Sequence, residues 1–564
     1  MKFIINIFAF ITVFMEVHSM HISHSDSILH SSESTLKHTD ADRVVKRDEP
    51  GVCQTDACKK TAEHILQSMD NKVNPCDDFY QFACGGWIEG HSIPDDKSSA
   101  SIFEGVEDDL NLKLKELLER PLSGSEPRHV QMMKQFYDSC MDTNSIEASG
   151  SEPLKNILQK FGGWPVVEGD SWDESKFDWM DTLIAMRNFG FGHNILLSLY
   201  VSPDTKDNTV NIIELDQTNL GMPSRDYLVS GLSDDATAAY FNLMVKSANK
   251  LGADESKSKK ELMEALNFEI TLANNSLPLE EQRNVSQLYN KYTVAELKQL
   301  VPDIDWMKFL NGLLNEPVTE NEYLNVRIPD FVKKFAEIIS NTDKRIVANY
   351  MMWRIVSDTF SHLSKDWRDL EMEYTSTISG QTEEKPRWEE CLTIVSYSLS
   401  IALGSHYVKK YFPADSKKSA MEMVTYLRTE FLSIIDAVEW MDDNTKSQAK
   451  EKANAMTPYI GYPDEMLNDT LAAEFYENLT FNGGSYIDNS LRINKWLTDY
   501  VYSELRKPNI KGDWKKHALA AIVNAFYNPV ENSLEFPAGI LQSPFFNKDR
   551  PNYLNFGAWF CNRT

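Results

Sequence analysis

Residues 424–438 read Val-Thr-Tyr-Leu-Arg-Thr-Glu-Phe-Leu-Ser-Ile-Ile-Asp-Ala-Val. The apolar side chains of this stretch step by 3, 4, 4 and 3 positions, which places them on one face of a helix; they are Val424, Leu427, Phe431, Ile435 and Val438. The same steps recur before Pro121 in a second set, Phe103, Val106, Leu110, Leu114 and Leu117. We expect both stripes to face a core. Most of the chain after residue 48 has this helical character, so the sequence predicts a mainly α fold.

Two stretches predict β hairpins instead of helices. In the first, Ile195, Leu197, Leu199 and Val201 alternate with other residues, a turn follows at 202–204, and the chain returns over 210–215. The second hairpin runs from 522–527 through the turn Asn528-Pro529 to 533–536. The expected fold is therefore a large helical lobe with small β hairpins, and a new element begins near residue 520.

The composition is that of a globular protein. The chain has 564 residues, 42% of them apolar and 25% charged, which excludes disorder, collagen and a small disulfide scaffold. It carries 57 Lys and Arg against 84 Asp and Glu, a formal net charge of 57 − 84 = −27. This excess repels phosphate backbones and anionic lipid, so the sequence argues against nucleic-acid partners. No stretch reaches the roughly 20 apolar residues of a membrane anchor.

The N-terminus predicts export. Lys2 precedes an apolar run over residues 3–15, and small or modest side chains follow at 17–19, which is the pattern of a signal peptide over residues 1–19. Residues 20–47 form a polar prosegment or tail that ends at the dibasic pair Lys46-Arg47. Five N-x-Ser/Thr sequons are compatible with a secreted glycoprotein, and they begin at Asn274, Asn284, Asn468, Asn478 and Asn562. We expect the protein to be extracellular.

Generic catalytic motifs are missing from the sequence. None of the 12 His is followed by Glu, so there is no H-E-x-x-H, in which two His on one helix face bind zinc and the Glu activates water. The G-x-S-x-G nucleophile elbow and the G-x-x-x-x-G-K-[ST] phosphate loop are also missing. Composition and spacing alone give no active site.

Several longer segments do carry information. Residues 75–87 read Pro-Cys-Asp-Asp-Phe-Tyr-Gln-Phe-Ala-Cys-Gly-Gly-Trp, and residues 221–227 read Gly-Met-Pro-Ser-Arg-Asp-Tyr shortly after Asp216-Gln217. Trp440-Met441-Asp442 leads through a lysine-rich helix to Gly-Tyr-Pro-Asp at 461–464.

The last of these segments lies near the C-terminus. Residues 523–527 read Val-Asn-Ala-Phe-Tyr, and residues 536–546 read Phe-Pro-Ala-Gly-Ile-Leu-Gln-Ser-Pro-Phe-Phe. In order and spacing, all these segments resemble the neprilysin and endothelin-converting-enzyme family of zinc metallopeptidases, from Cys53 to about Gly557.

The resemblance implies a helical N-terminal lobe over residues 48–510 and the start of a thermolysin-like catalytic lobe over 511–564. It also implies that residues 524–527 belong to the edge strand that pairs with extended substrate. Asn524 matches a residue whose side chain binds substrate backbone, and Ala525 one whose carbonyl does so. An edge strand can do this because its unpaired N–H and C=O groups accept another strand.

The sequence departs from the family pattern after residue 557. Residues 554–557, Leu-Asn-Phe-Gly, still match, but residues 558–564 diverge before the family's zinc-binding helix. We therefore expect no catalytic residue, no metal ligand and no cofactor in the chain as given, whereas the full-length family protein would hold zinc. Aligning the family's Phe with Phe103 also places Ser99 where some members carry an Arg that binds a substrate carboxylate.

The seven cysteines follow the family only in part. The resemblance implies disulfides between Cys53 and Cys58 and between Cys140 and Cys391. Cys76 and Cys84 would normally pair with cysteines in the family's C-terminal part. If residues 77–83 are helical, these two lie about 12 Å apart, beyond the roughly 7 Å limit between bridged Cα atoms.

One of these two thiols has a further candidate partner, Cys561. That pairing would leave the other thiol free for an intermolecular bond. The alternative is that the true partners of Cys76 and Cys84 lie beyond the sequence given.

Three readings of the function follow. The favoured one is a secreted, non-catalytic homologue that binds peptides or pairs with an active relative. The alternative is an active secreted zinc metalloendopeptidase that cleaves peptides at hydrophobic residues, of which this is an incomplete chain. A third reading is a non-functional relic whose hairpin at 522–536 has lost its covering helix.

Overall fold

The computed structural model describes residues 53–481 and 483–561, so the predicted signal peptide and prosegment lie outside the described residues. The described chain divides into two compact units, one formed by Ile93–Gln542 and the other by residues 53–92 together with 543–561. The predicted boundary at residue 510 falls inside the larger unit.

Helices dominate both units, which confirms the mainly α fold class. The smaller unit contains the α-helices Asp56–Ser68, Phe79–Gly90 and Asn552–Cys561. The α-helices of the larger unit are Ile102–Glu119, Arg128–Met141, Thr143–Ser149, Glu152–Lys160, Pro165–Glu168, Trp179–Phe189, Arg225–Ser230, Asp235–Lys250, Glu255–Asn275, Val294–Leu300, Trp306–Leu313, Pro329–Asn341, Lys344–Ser357, Lys365–Ser379, Arg387–Ser398, Ser400–Tyr411, Ala414–Ala437, Asp443–Ala455, Asp469–Phe475 and Tyr486–Tyr502. Short 3₁₀ helices lie at Gly169–Ser171, Glu174–Lys176, Gly231–Ser233, Glu281–Arg283, Phe360–His362, Asp464–Leu467 and Trp514–His517.

The larger unit also holds two small sheets. Their strands are β1 (Ser198–Pro203), β2 (Asn211–Asp216), β3 (Lys291–Thr293), β4 (Tyr323–Val326), β5 (Thr457–Gly461), β6 (Phe526–Asn528) and β7 (Ser533–Pro537). The first sheet has the order β1-β2-β4-β3, in which β2 and β4 are parallel and the other pairs antiparallel. The second has the order β5-β7-β6, so it joins strands from both sides of residue 510.

The first predicted hairpin is present, with different bounds. β1 and β2 pair antiparallel from Ser198 opposite Asp216 to Pro203 opposite Asn211. Ile195 and Leu197 precede the strand, because the Ile195 carbonyl accepts hydrogen bonds from the side chains of Thr218 and Tyr350 instead of from a neighbouring strand.

The core of the larger unit is built on aromatic side chains. Trp164, Trp306, Trp353 and Trp367 are fully buried in one hydrophobic cluster. Trp353 Nε1 donates a 2.6 Å hydrogen bond to Tyr240 Oη, so its polar atom is satisfied inside the core.

The two helical stripes differ in how far they are buried. Val106, Leu110, Leu114 and Leu117 are buried as predicted, but Phe103 at the start of that helix is 42% exposed. In the stripe at 424–438, Val424 and Ile435 are buried, whereas Phe431 is 52% exposed, so the prediction that the whole stripe faces a core is wrong. The helix Ala414–Ala437 packs against β5 and the helix Asp443–Ala455, and these contacts cover only part of its apolar side.

No single helix in the described part of the chain is both long and apolar enough to cross a membrane. The neighbouring helices Arg387–Ser398 and Ser400–Tyr411 meet the length and composition criteria only when taken together, and they are bent by 103°.

Candidate functional site

The edge of the second sheet is the candidate site. β6 pairs antiparallel with β7 through Phe526 opposite Glu535, Tyr527 opposite Leu534 and Asn528 opposite Ser533. On its other side, β7 pairs in parallel with β5. No other strand of the described residues pairs with β6, so alternate N–H and C=O groups along β6 point away from the sheet.

The two predicted substrate-binding residues directly precede this edge strand in the chain and are not part of it. Asn524 and Ala525 are half-buried and directly precede β6, which begins at Phe526. Asn524 Oδ1 accepts a 2.8 Å hydrogen bond from the Ala525 N–H, so the Asn524 side chain is folded onto its own backbone. The predicted strand over 522–527 is therefore too long at its start.

The reason lies just before Asn524. The Gly539 N–H donates to the Ala520 carbonyl at 2.9 Å, and a side chain at Gly539 would collide with the backbone of Ile522. This close contact packs the segment 520–522 against Gly539. β6 begins after this segment, at Phe526.

A buried histidine links this hairpin to the segment before it. His517 is 8% exposed, and its ring stacks on Tyr459 of β5 with the centroids 3.5 Å apart. Its Nδ1 lies 3.1 Å from Glu535 Oε2 in β7, and its Nε2 lies 3.3 Å from Glu531 Oε1 in the turn before β7. Each ring nitrogen thus faces a carboxyl group, and because an ionised carboxylate accepts hydrogen bonds, this arrangement favours a ring protonated on both nitrogens.

His517, Tyr459, Glu531 and Glu535 form a cluster in which the charges of His517 and Glu531 stabilise each other. Burial alone would lower the pKa of His517, but its hydrogen bonds to Glu531 and Glu535 outweigh burial and raise the pKa to about 9. Burial would likewise raise the pKa of Glu531, whereas the bonds from His517 and Ser533 lower it to about 2. The imidazolium and the Glu531 carboxylate are therefore both charged at neutral pH.

Glu531 accepts hydrogen bonds from several groups besides His517. Its Oε1 also accepts hydrogen bonds from Tyr459 Oη at 3.1 Å and from the Gly512 N–H at 3.2 Å. Its Oε2 accepts a 2.7 Å bond from Ser533 Oγ. Sequence reasoning gave His517 no functional role, and no local pattern marks its partners, because they follow it by 14 and 18 residues.

A cavity of about 230 Å³ adjoins His517, and Tyr459 and Glu535 of the same cluster also line it. Four aromatic residues line it, together with the Lys417 ammonium and the Glu465 carboxylate; they are Tyr459, Tyr462, Trp514 and Phe536. Lys417 Nζ lies 2.6 Å from Asp464, so its charge is already paired.

The structure contains both disulfides that the resemblance implies. Cys53 is bonded to Cys58, and Cys140 to Cys391 with their Cα atoms 5.8 Å apart. Cys76 and Cys84 are free thiols, exposed and half-buried respectively. The side chain of Cys561 lies outside the described side chains.

The segment 77–83 is helical only from Phe79, and the helix continues to Gly90. It begins at Phe79, because the Asp78 side chain caps it by accepting a hydrogen bond from the Gln81 N–H. Cys76 therefore lies in the turn before this helix.

The four predicted glycosylation sites in the described region are on the surface. The side chains of Asn274, Asn284, Asn468 and Asn478 are all exposed. Asn468 also caps the helix Asp469–Phe475, since its Oδ1 accepts a hydrogen bond from the Thr470 N–H. A glycan on Nδ2 would leave that cap in place.

The described residues do not fit a catalytic zinc ion. Among the described residues, 53–481 and 483–561, no group of three or more His, Cys, Asp or Glu could hold a metal ion. A structural zinc site needs about four protein ligands and a catalytic one about three.

Comparison with known proteins places the chain in a family. It matches peptidase family M13 over residues 75–463 and again over 524–559. It is 40% identical to Neprilysin-2 of Drosophila melanogaster over 547 residues, which cover 94% of this chain and 70% of that protein. It is also 35% identical to Membrane metallo-endopeptidase-like 1 of Mus musculus over 553 residues, covering 94% of this chain and 71% of that protein.

Solved structures agree in fold. The Mycobacterium tuberculosis zinc metalloprotease ZMP1, in complex with an inhibitor, superposes with a TM-score of 0.76 at 23% identity, over 88% of this chain and 73% of that one. The resemblance inferred from the sequence motifs is thus confirmed, and the chain is a member of peptidase family M13, the neprilysin and endothelin-converting-enzyme family.

Proposed function

We propose that this chain binds extended peptides along the outer edge of β6. The observation that carries the proposal is the sheet order β5-β7-β6, which leaves β6 unpaired on one side among the described strands. A peptide that adds as a fourth strand would exchange backbone hydrogen bonds with β6. Asn524 stands at the start of this edge, and its side chain can turn from its own backbone to that of a peptide.

The proposal predicts binding that depends on the peptide backbone. A fluorescein-labelled, extended eight-residue peptide rich in Val and Phe should bind the full chain, as followed by fluorescence anisotropy. N-methylation of the alternate residues that face β6 should weaken binding at least tenfold, because each N-methyl group removes a donor and blocks the strand. Methylation of the other alternate set should have little effect.

A protein variant provides the matching test. Asn524→Ala should weaken the same peptide about five- to tenfold, the loss expected for one hydrogen bond of about 1–1.5 kcal/mol. Asn444→Ala, which changes an exposed Asn elsewhere in the same unit, should bind like the wild type. If the peptide methylated on the residues that face β6 bound as well as the peptide methylated on the other alternate set, strand addition would be refuted.

The second part of the proposal is that these 564 residues bind peptide without hydrolysing it. It is supported by the lack of H-E-x-x-H in the sequence. The peptide should stay intact in mass spectra after incubation with the chain and added ZnCl₂. Cleavage that a chelator abolishes would instead support the other candidate, an active zinc metalloendopeptidase, which the names of the curated relatives favour.

We further propose that the protein is secreted and glycosylated. Support comes from the two disulfides, which are typical of oxidising compartments, and from the exposure of the four Asn side chains. Expressed from Met1 in insect cells, the chain should appear in the medium and lose mass on treatment with an N-glycosidase. A variant that lacks residues 2–19 should stay in the cells, and retention of the unaltered chain would contradict the proposal.

A further inference from the structure

β6 has little backbone support for an edge that receives a peptide, whereas β7 is also paired with β5 on its other side. β6 contributes three residues and pairs with β7 alone among the described strands. A strand of three residues with one neighbour has few backbone hydrogen bonds to keep it extended, and a peptide can add only to a strand that is already extended. An element that fixes this hairpin would therefore act on peptide binding directly.

His517 is placed to be that element. Of its two carboxylate partners, Glu535 lies in β7 directly opposite Phe526, the first residue of β6. Glu531 lies in the turn that joins β6 to β7. One side chain from outside the hairpin thus contacts both its turn and the open end of its strand pairing.

Further contacts hold the His517 ring itself in place. We call the ring and its two partners, Glu531 and Glu535, the clamp. Tyr459 covers one face of the ring and also donates to Glu531, and the Gly512 N–H reaches the same carboxylate. A buried ion pair adds little net stability, because desolvation opposes the attraction of the charges, but it does fix geometry when both partners are fully hydrogen-bonded. The contacts of this cluster connect the hairpin to β5 and to the segment 512–517.

We propose that His517 is a positioning residue for peptide binding, whose imidazolium holds the β6–β7 hairpin in the extended form to which a peptide adds. This inference rests on the proposed peptide-binding function. It assigns His517 no contact with the peptide itself.

The proton on His517 gives the clamp a pH dependence with a defined sign. Because the folded-state pKa, about 9, lies above the usual value of 6.5, its contribution to folding is complete below pH 6.5 and is lost as pH rises to about 9. The clamp itself stays protonated in the folded protein until pH nears 9. Affinity for the peptide should therefore fall with a midpoint near pH 9.

The other charged groups around the ring do not produce this change. Burial and the Glu531 carboxylate raise the pKa of Tyr459, so it stays neutral in this range. Glu531 and Glu535 accept from the ring, and Lys417 and Glu465 line the adjoining cavity, where Lys417 is paired with Asp464.

The test measures binding of the labelled peptide to the full chain from pH 7.0 to 9.8. Wild-type affinity should fall at least fivefold across this range. His517→Gln should bind at least fivefold more weakly at pH 7.0 and change little with pH. His517→Arg, which restores a permanent cation, should recover part of the affinity and show no midpoint near pH 9.

A matched control is His406→Gln. His406 is half-buried in another helix, and burial lowers its pKa, so this variant should keep the wild-type profile. Hydrogen exchange of amides 526–536 should be faster in His517→Gln at pH 7.0, while exchange in the helix Lys344–Ser357 is unchanged. This pattern separates a loosened hairpin from general unfolding.

The outcomes distinguish the two proposals. If the wild type fails to bind the peptide, the proposed function is refuted and this inference with it. If the wild type binds and His517→Gln binds equally well with the same pH profile, only the role of His517 is refuted. The wild-type pH titration and His517→Arg keep the test decisive if the Gln variant does not fold.

Discussion

Loss of the Cys140–Cys391 disulfide should lower the free energy of unfolding by about 4–5 kcal/mol, near the top of the range for native disulfides. The two cysteines lie 251 residues apart in sequence, so the bond closes a very long loop and removes much entropy from the unfolded chain. It joins the helices Arg128–Met141 and Arg387–Ser398, and both cysteines are buried. Arg387 Nε also donates to the Cys140 carbonyl at 3.0 Å, so the two helices contact each other tightly at this point.

The measurement is urea unfolding of Cys140→Ala/Cys391→Ala, with Cys76→Ser and Cys84→Ser in every protein to prevent disulfide exchange. The control is Cys53→Ala/Cys58→Ala, which opens a bond between residues only 5 apart on the surface. The same loop-entropy relation gives this short loop about 2 kcal/mol. A loss in the Cys140/Cys391 variant no larger than in this control would show that loop closure does not govern its stability.

Local patterns predicted the elements whose determinants are local. The apolar spacing and Pro121 predicted a helix that ends before that proline, and the structure has it at Ile102–Glu119, capped by the Ser101 side chain. The β6–β7 hairpin was predicted from its turn at Asn528-Pro529, and the two strands pair across that turn. In both cases the signal lies within about 15 residues of sequence.

Long-range contacts decided what the patterns missed. β4 pairs in parallel with β2, which lies more than 100 residues earlier in the chain, and no local pattern near Tyr323 predicts this pairing. The start of β6 depends on the contact between Gly539 and the loop at 520–522. His517 gains its charge from two carboxylates that meet it only when the hairpin folds. These features follow from tertiary packing, which spacing along the chain does not encode.

The segment Gly-Met-Pro-Ser-Arg-Asp-Tyr at 221–227 begins with a glycine whose backbone joins a buried hydrogen-bond network. The Gly221 N–H donates to Glu269, whose side chain is fully buried. Tyr240 Oη donates to the other oxygen of Glu269 at 3.1 Å, and Trp353 donates to Tyr240. Gly221 is thus the backbone end of a buried polar network in the core.

Gly221→Ala should therefore destabilise the protein by about 3 kcal/mol. A Cβ atom at this position would collide with Tyr240 Oη and lie 2.8 Å from Glu269 Oε1. Neither group can withdraw without breaking a buried hydrogen bond, because Tyr240 also accepts from Trp353 and Glu269 accepts from both neighbours. Urea unfolding monitored by the fluorescence of the 12 Trp, one of which is Trp353 in this network, is the measurement.

The matched control is Gly105→Ala. Gly105 lies within the helix Ile102–Glu119, and a Cβ atom there would meet nothing within 4 Å. Because Ala favours the helix over Gly, this variant should gain about 0.5–1 kcal/mol. If Gly221→Ala unfolded at the wild-type urea concentration while Gly105→Ala gained stability, the network around Glu269 would be adaptable, and steric exclusion could not be the reason for a glycine at 221.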